Sequence, residues 1–408
     1  MSKSQHCISF KYNKKKNSNR VLDLFIIFII IGQAILYKEQ LPYLNSFFVA
    51  AQSICFVVTF FYYITRKLKP NIYHWFWLIY ILIVIYSSII NRVVYYGNIL
   101  SPTIGAASLL MIFHMRCSSD LDGLLCNLTK VFFFYVVVNF LLVLLYPNGV
   151  WTDVTDVNRD EIGRYLIGGN RNQMGGTLIA AIVTSVAYSY KVSNNIRKSL
   201  GMLFFATLSV LIVGSKTSII GFFAFILFLV FAKFRRFGIK ELIVVFSLYC
   251  VVQILLLLSF DIISSNKFLG YIIEDVLQKD LTFSSRTTIW NFSIIMISMS
   301  PIFGYGWQDP EWNKFYIFGV STHNLVLHVL IKGGIILLSC FIIVIGIAIK
   351  QAVKNATTPA ILIHLGFWIF LFMMSTEVYN AVIIAYFITL LYSTRYFSEN
   401  NRLQNKAH

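Results

Sequence analysis

The residues in this chain best suited to chemistry are cations and one histidine, set at the ends of apolar runs. Arg286 and Trp290 open one such run; Pro301, Gly304, Gly306, Trp307, Asp309 and Glu311 follow; and His323-Asn324 begins the next. Lys216 sits earlier, in the turn Gly214-Ser215-Lys216-Thr217, and Arg171 earlier still, in Gly168-Gly169-Asn170-Arg171-Asn172. Arginine offers a planar fork that matches phosphate or carboxylate. A group of Arg and Lys at one face of a membrane would suit a diphosphate head group. A histidine at a helix start can be neutral near physiological pH and take up a proton. Each residue also has a plainer reading. The basic side chains can pair with a neighbouring carboxylate or a lipid phosphate, Lys216 can snorkel, and Asn324 can serve only as a helix cap. The Gly-Ser-Lys-Thr-Ser run is not a nucleotide P-loop, because the glycine spacing before its lysine is absent. His328 and His364 read as structural.

Lys332 is a separate case. It lies inside an apolar run, is followed by Gly333-Gly334, and would sit roughly 13 Å deeper than His323 at ~1.5 Å per residue. An ionisable residue within a membrane span is a functional hypothesis by default, with Glu377 as a conceivable partner. The paired glycines permit close helix packing.

The elements that must hold these residues follow from composition. Of 408 residues, 58% are hydrophobic and 12% charged, against a charged share of about 25% in soluble domains. Apolar runs near 20 residues are the length that crosses ~30 Å of hydrocarbon as helix, and lipid excludes open sheets. The pattern predicts an all-α polytopic membrane protein with about twelve transmembrane helices. They are placed near 21–37, 42–65, 71–90, 99–115, 131–146, 172–190, 199–213, 218–232, 241–260, 324–349, 359–377 and 379–394. The domain organisation is a single transmembrane domain over 1–408, with a large external loop at 261–321 and a cytoplasmic tail at 1–20. No cleavable signal peptide is expected, since 1–20 is polar and basic. The net charge of +17 does not call for nucleic acid, because Lys and Arg gather in alternate loops while Asp and Glu favour the others. By the positive-inside rule both termini are cytoplasmic, and Arg171, Lys216, Arg286 and His323 face outward. Ile289 to Ser300 is apolar for only about a dozen residues, a length typical of interfacial or re-entrant segments, and is read as a helix lying on the outer surface. Cys7, Cys55, Cys117, Cys126, Cys250 and Cys340 all fall outside the external loops, so no disulfide framework is expected.

The order of the motifs is itself informative. It runs Ser215-Lys216 between two helices, Ser285-Arg286 opening a long outer loop, Trp290, Pro301-Ile302-Phe303-Gly304-Tyr305-Gly306, and His323-Asn324 ahead of Gly333-Gly334. In this order, over about 170–340, the chain resembles the O-antigen ligase and O-antigen polymerase superfamily, including capsular repeat-unit polymerases. The Asn170-Arg171-Asn172 run also resembles a family feature. One departure is Lys216, where the family usually carries arginine; lysine keeps the charge and loses the fork.

The resemblance implies a metal-independent, hexosyltransferase-type glycosyltransferase in the bacterial cytoplasmic membrane, working on its outer face without a cofactor. The donor would be an oligosaccharide on undecaprenyl diphosphate, used in building an O-antigen or capsule. Partners implied are that lipid-linked oligosaccharide, membrane lipids, a flippase and a chain-length regulator, with no nucleic acid. Arg286 and Lys216 would hold the diphosphate with help from Arg171. His323 would be the base or would orient the acceptor, so His323 and Arg286 form the catalytic pair. Trp290, Trp307 and Asn324 would contact glycan, although burial at the membrane interface is an equal reading for the two tryptophans. Repeat-unit polymerase is the preferred activity. The rivals are a ligase moving finished glycan to another acceptor, a lipid-linked oligosaccharide flippase, and an assembly protein. A flippase should carry polar side chains through the whole membrane depth; here intramembrane charge is nearly confined to Lys332 and Glu377.

Overall fold

The computed structural model describes residues 20–37, 40–93, 96–154, 161–231, 239–258, 286–355 and 357–397. The tail at 1–19, the first part of the long loop up to Ser285 and the last residues from 398 lie outside this set. Helices dominate: α1 over 20–35, α2 Pro42–Thr65, α3 Ile72–Ile90, α4 Tyr96–Cys117, α5 Leu121–Leu145, α6 Arg171–Ser193, α7 Leu200–Val213, α8 Lys216–Phe231, α9 Ile239–Leu258, α10 Arg286–Met299, α11 Pro310–Ile317, α12 Leu325–Lys354, α13 Thr358–Met373 and α14 Ala381–Ser393. A two-stranded antiparallel hairpin, β1 Trp151–Val154 and β2 Glu161–Arg164, sits between α5 and α6 with Trp151 opposite Arg164. Among the described residues, α2, α3, α5, α12 and residues 99–117 of α4 are long and apolar enough to cross a membrane, and shorter apolar helices accompany them. The result is a helical, multi-pass membrane architecture. The described cysteines are all unpaired.

The bundle is built around α6. This helix is rich in Gly, Ala, Ser and Thr, and it is buried almost continuously from Met174 to Ala187. Its partners are α5, α7, α8, α13 and α14. Small residues let their backbones approach, as membrane helices require when apolar burial gives no drive against lipid. A side chain at Gly175 would strike Ser218 of α8, and one at Gly176 would strike the ring of Tyr379. Elsewhere α2 pairs with α4, and α12 lies against α3 and α14.

Besides the hairpin, α11 and the earlier end of α13, two stretches differ from the sequence reading. The stretch taken as an inner loop, 116–130, is largely helix: α5 begins at Leu121, because the Asp120 side chain accepts from Gly123 N and caps it. Arg20 then grips Asp120 at 2.6 and 2.7 Å, and Arg116 pairs with Asp23 at 2.6 Å, tying α1 to the ends of α4 and α5. The second difference is in α12. It is broken at Gly333 and Gly334, whose backbones are non-helical. The Pro301–Gly306 loop fills the break. Tyr305 N and Gly306 N donate to the carbonyls of Ile331 and Lys332 at 2.6 and 3.0 Å, and Ile335 N donates to Pro301 O at 2.8 Å. Backbone groups freed by the break are thus satisfied by protein, as a membrane environment demands.

The same loop docks on the last turn of α3. Ser87 Oγ donates to Phe303 O at 2.5 Å, Asn91 Nδ2 to Gly304 O at 3.1 Å, and Trp307 N to Ser88 Oγ at 2.9 Å. Lys332 therefore lies level with the end of α3. Residues 335–354 after the break are about 20 in number, enough to cross ~30 Å of hydrocarbon. The apolar segment at 289–300 is α10. It packs Ile289, Trp290 and Met296 on Leu327 and Ile331 of α12 and Ile317 of α11, forming a second small core.

Gly334 has φ +61 and ψ −160, a backbone state open essentially to glycine alone. A Cβ there would also collide with the carbonyl of Ile302. Gly334→Ala is expected to destabilise the protein by about 1–3 kcal/mol from the backbone state alone. The check is a lower melting temperature of the purified protein, with Gly346→Ala, where a Cβ meets nothing, as the neutral control.

Candidate active site

Local sequence brings three chain segments to one point. Asn324 caps α12 through its Oδ1, which accepts from Val326 N at 2.9 Å and Leu327 N at 3.2 Å. Its amide nitrogen reaches Gln253 Oε1 of α9 at 2.8 Å and Ser375 O at 3.1 Å. Trp290 of α10 donates its indole N–H to Thr322 O at 2.9 Å. Between these anchors stands His323, with a left-handed backbone (φ 48) and its N–H on Ser321 Oγ at 3.3 Å. A non-glycine residue held in this region is strained, and such strain gathers at functional sites.

His323 and the first residue of α10 meet at one carboxylate. Glu377 lies in the non-helical link 374–380 between α13 and α14 and is 1% exposed. Its Oε1 is 3.1 Å from His323 Nδ1, and its Oε2 accepts from Arg286 Nη2 at 3.1 Å. Burial would by itself push the Glu377 carboxyl up. The charge and hydrogen bond of His323 and the charge of Arg286 outweigh this and hold it below the usual carboxylate range. In the neutral form of the ring, with Nδ1–H turned to Glu377, Nε2 is the atom of His323 left to accept a proton. The His323 side chain keeps 18% of its surface open.

Two buried polar atoms beside this triad have no partner among the described residues: Arg286 Nη1 and the Tyr379 hydroxyl. Burial raises the Tyr379 phenol well above its ordinary value, and the Glu377 charge adds to this, so it remains a donor. Buried polar groups in native proteins are nearly always bonded, so an orphan requires an explanation. A polar ligand placed against Arg286 and Tyr379 supplies one.

Lys216 and Arg171 occupy the first turns of α8 and α6. Ser215 Oγ donates to Asn172 Oδ1 at 3.2 Å, joining the two turns. The left-handed Gly214 (φ 69) ends α7, and Asn170 caps α6 by accepting from Asn172 N and Gln173 N. Through Gly176, which abuts the Tyr379 ring, the start of α6 reaches the segment that carries Glu377. Arg171 is exposed and Lys216 half-buried.

The structure thus brings Arg286 and His323 together on Glu377 and sets Lys216 and Arg171 at the same end of the bundle. Trp290 and Asn324 are 2% and 0% exposed, with their polar atoms spent on Thr322, Gln253, Ser375 and the helix start, so they hold His323 in place instead of facing a glycan. Trp307 lies at the other end of α10, with the Lys332 ammonium 3.0 Å from its ring centre. Glu377 is not the partner of Lys332 and is not helical, since α13 ends at Met373. Sequence reasoning gave Glu377 and Tyr379 no role at this site. The available signal was Glu377 itself, an acid beside the start of α14. Among the described residues no three His, Cys, Asp or Glu converge as metal ligands.

Such an arrangement, a carboxylate-oriented histidine beside a half-satisfied arginine, has the form of a proton-accepting and anion-holding site. Residues 201–342 match the family model described as O-antigen ligase. That segment runs from α7 through the break in α12 and includes Lys216, Arg286, Trp307 and His323. The O-antigen ligase of Pseudomonas aeruginosa PAO1 is 29% identical over 156 residues, which is 37% of this chain and 33% of that protein. The chain therefore matches about a third of the length of this curated relative. Both findings make it similar to the O-antigen ligase and polymerase superfamily, as the order of its motifs implies.

Removing Glu377 would strand a buried arginine, and breaking a buried pair in this way costs about 3–5 kcal/mol. Glu377→Gln should lower the melting temperature at neutral pH. Because the folded carboxyl is held low, its stabilising effect is full above the usual carboxylate range and fades as acid takes pH through that lowered value. Wild type and Glu377→Gln should therefore converge on acidification; a gap independent of pH would mean the carboxylate charge is not what stabilises.

Proposed function

We propose that this chain is a polysaccharide polymerase. It transfers oligosaccharide repeat units from undecaprenyl diphosphate to a growing glycan at the outer face of the bacterial cytoplasmic membrane. The observation that carries this reading is the Arg286–Glu377–His323 arrangement, with Arg286 Nη1 left buried and unbonded. The acceptor hydroxyl gives its proton to His323 Nε2 as its oxygen bonds to the anomeric carbon of the donor. The bond from that carbon to the diphosphate oxygen breaks, and its electron pair leaves with the lipid diphosphate. Arg286 and Lys216, with Arg171, stabilise the charge that builds there; one preorganised donor of this kind contributes about 3 kcal/mol. Glu377 fixes the tautomer of His323 and stabilises the imidazolium that forms. No nucleotide-sugar site is required, because the lipid diphosphate is itself the activated leaving group.

A second reading is a ligase that moves finished glycan to another acceptor. The observation in its favour is that the matching family model and the relative both carry the description O-antigen ligase. The two readings share the site chemistry and differ in the acceptor.

Analysis of lipid-linked glycans in cells lacking the chain separates them. Accumulated single repeat units are expected. Full-length polymer retained on the lipid would mean ligase, and no glycan displayed outside would mean a flippase. Reintroduced Arg286→Ala should leave single repeats unprocessed. His323→Ala should slow turnover by roughly 10²- to 10⁴-fold at normal protein level, the contribution of a general base; full activity of either variant would remove that residue from the mechanism.

A further inference from the structure

Lys332 is a buried amine that the transfer chemistry leaves unused. It is 8% exposed, and Glu377, the carboxylate that the sequence reading paired with it, is engaged by Arg286 and His323. Among the described residues its ammonium has no anion and no hydrogen-bond acceptor; it rests against the Trp307 ring, 3.0 Å from the centroid. A cation–π contact offsets only part of the cost of taking an ammonium out of water. One helical turn away, His328 lies within electrostatic reach of Lys332, half-buried, with no hydrogen bond on its ring among the described residues. The surroundings are fixed. Trp307 N is bonded to the buried Ser88 Oγ, Gly306 packs directly on Ser88, and the carbonyl of Lys332 itself is held by Gly306 N. Trp307 and Gln308 are half-buried, so the group is reachable from the end of the bundle where α3 terminates.

We infer that Lys332, Trp307 and His328 form a glycan subsite for an anionic substituent, a carboxylate or phosphate carried on a sugar some way along the chain from the reacting bond. This rests on the glycan-transfer reading above. The position fits. From the start of α12 to Lys332 is roughly 10 Å at ~1.5 Å per residue, the scale of a few linked sugars, and one segment between α9 and α12, 286–323, carries both Trp307 and the histidine of the site. Trp307 offers an aromatic face of the kind sugars stack on, and Lys332 supplies the missing counter-charge. A lipid headgroup phosphate has the same chemistry; the placement of Trp307 on the catalytic loop favours the glycan.

The test begins with the lipid-linked repeat units that accumulate in cells lacking the chain. Mass spectrometry should find at least one acidic group per repeat beyond the diphosphate. With those units as substrate and the full chain in phosphatidylcholine nanodiscs, Lys332→Gln should raise KM about tenfold with kcat within twofold. Lys332→Arg should restore most of the affinity. Lys332→Gln should melt no lower than wild type, since it relieves a buried amine with no hydrogen-bond acceptor among the described residues, so a loss of affinity cannot be blamed on unfolding. Neutral repeat units, or a KM unmoved by Lys332→Gln, would overturn the inference and leave the transfer reading standing. Failure of any lipid-linked glycan to accumulate would instead remove the transfer reading, and this inference with it. In nanodiscs containing phosphatidylglycerol, native mass spectrometry gives the last arm. Lipid adducts lost in Lys332→Gln while KM stays constant would assign the site to a headgroup and overturn the glycan assignment.

Discussion

The carboxylate of Glu377 holds both ends of the excursion from Arg286 to His323, and most of the site geometry depends on that double contact. A carboxylate buried to this degree is costly unless its oxygens are bonded to cations or donors. Here one oxygen faces Arg286 and the other His323. The pairing also fixes a chemical asymmetry. It consumes Nδ1 of the imidazole and one amino group of the guanidinium, and leaves His323 Nε2 and Arg286 Nη1 for something else. Trp290 and Asn324 complete the clamp from either side by holding the backbone that flanks His323.

Between those two ends the chain is held by a second constraint, the break in α12. A helix of this apolar character that simply stopped would expose carbonyls and amides to lipid. The Pro301–Gly306 loop supplies their partners, and glycine is what lets it approach: Gly304, Gly306 and Gly334 all have positive φ, and a Cβ on any of them would meet backbone. The break redirects α12 at the level of the end of α3. Its first part can then lie alongside α10 under the site while the remainder is long enough to cross the bilayer. The proline-glycine motif is thus a structural device that positions Trp307 and Lys332, with the reacting groups elsewhere.

Much of this was legible in the sequence, and the omissions have physical reasons. The apolar runs marked most helices to within a few residues, because the hydrophobic length of a span is set by lipid. α6 was also found, although its small and hydroxylated residues make it far less apolar than its neighbours; only the structure shows that it is the centre of the bundle. The start of α5 was missed, since Asp120 and Asp122 read as loop charges when one is in fact a cap. Arg286 and His323 could be picked out as polar residues at the ends of apolar runs, but not the carboxylate between them. Glu377 lies far along the chain, and pairing it with Lys332 followed from treating both as intramembrane charges. The break at Gly333-Gly334 was read as helix packing, because paired glycines give the same pattern for both.

Taken together, the cations at the starts of α6, α8 and α10 and the histidine beside Glu377 gather at one end of the bundle, where the proposed reaction would take place. The account stands or falls on where that ester binds. A cryo-electron microscopy map of the full chain with the proposed lipid-linked glycan bound is the most direct measurement. The account predicts the diphosphate against the free amino group of Arg286, with Lys216 nearby and His323 Nε2 turned toward the sugar. A diphosphate bound elsewhere, with Arg286, Glu377 and His323 unchanged and apart from it, would contradict it.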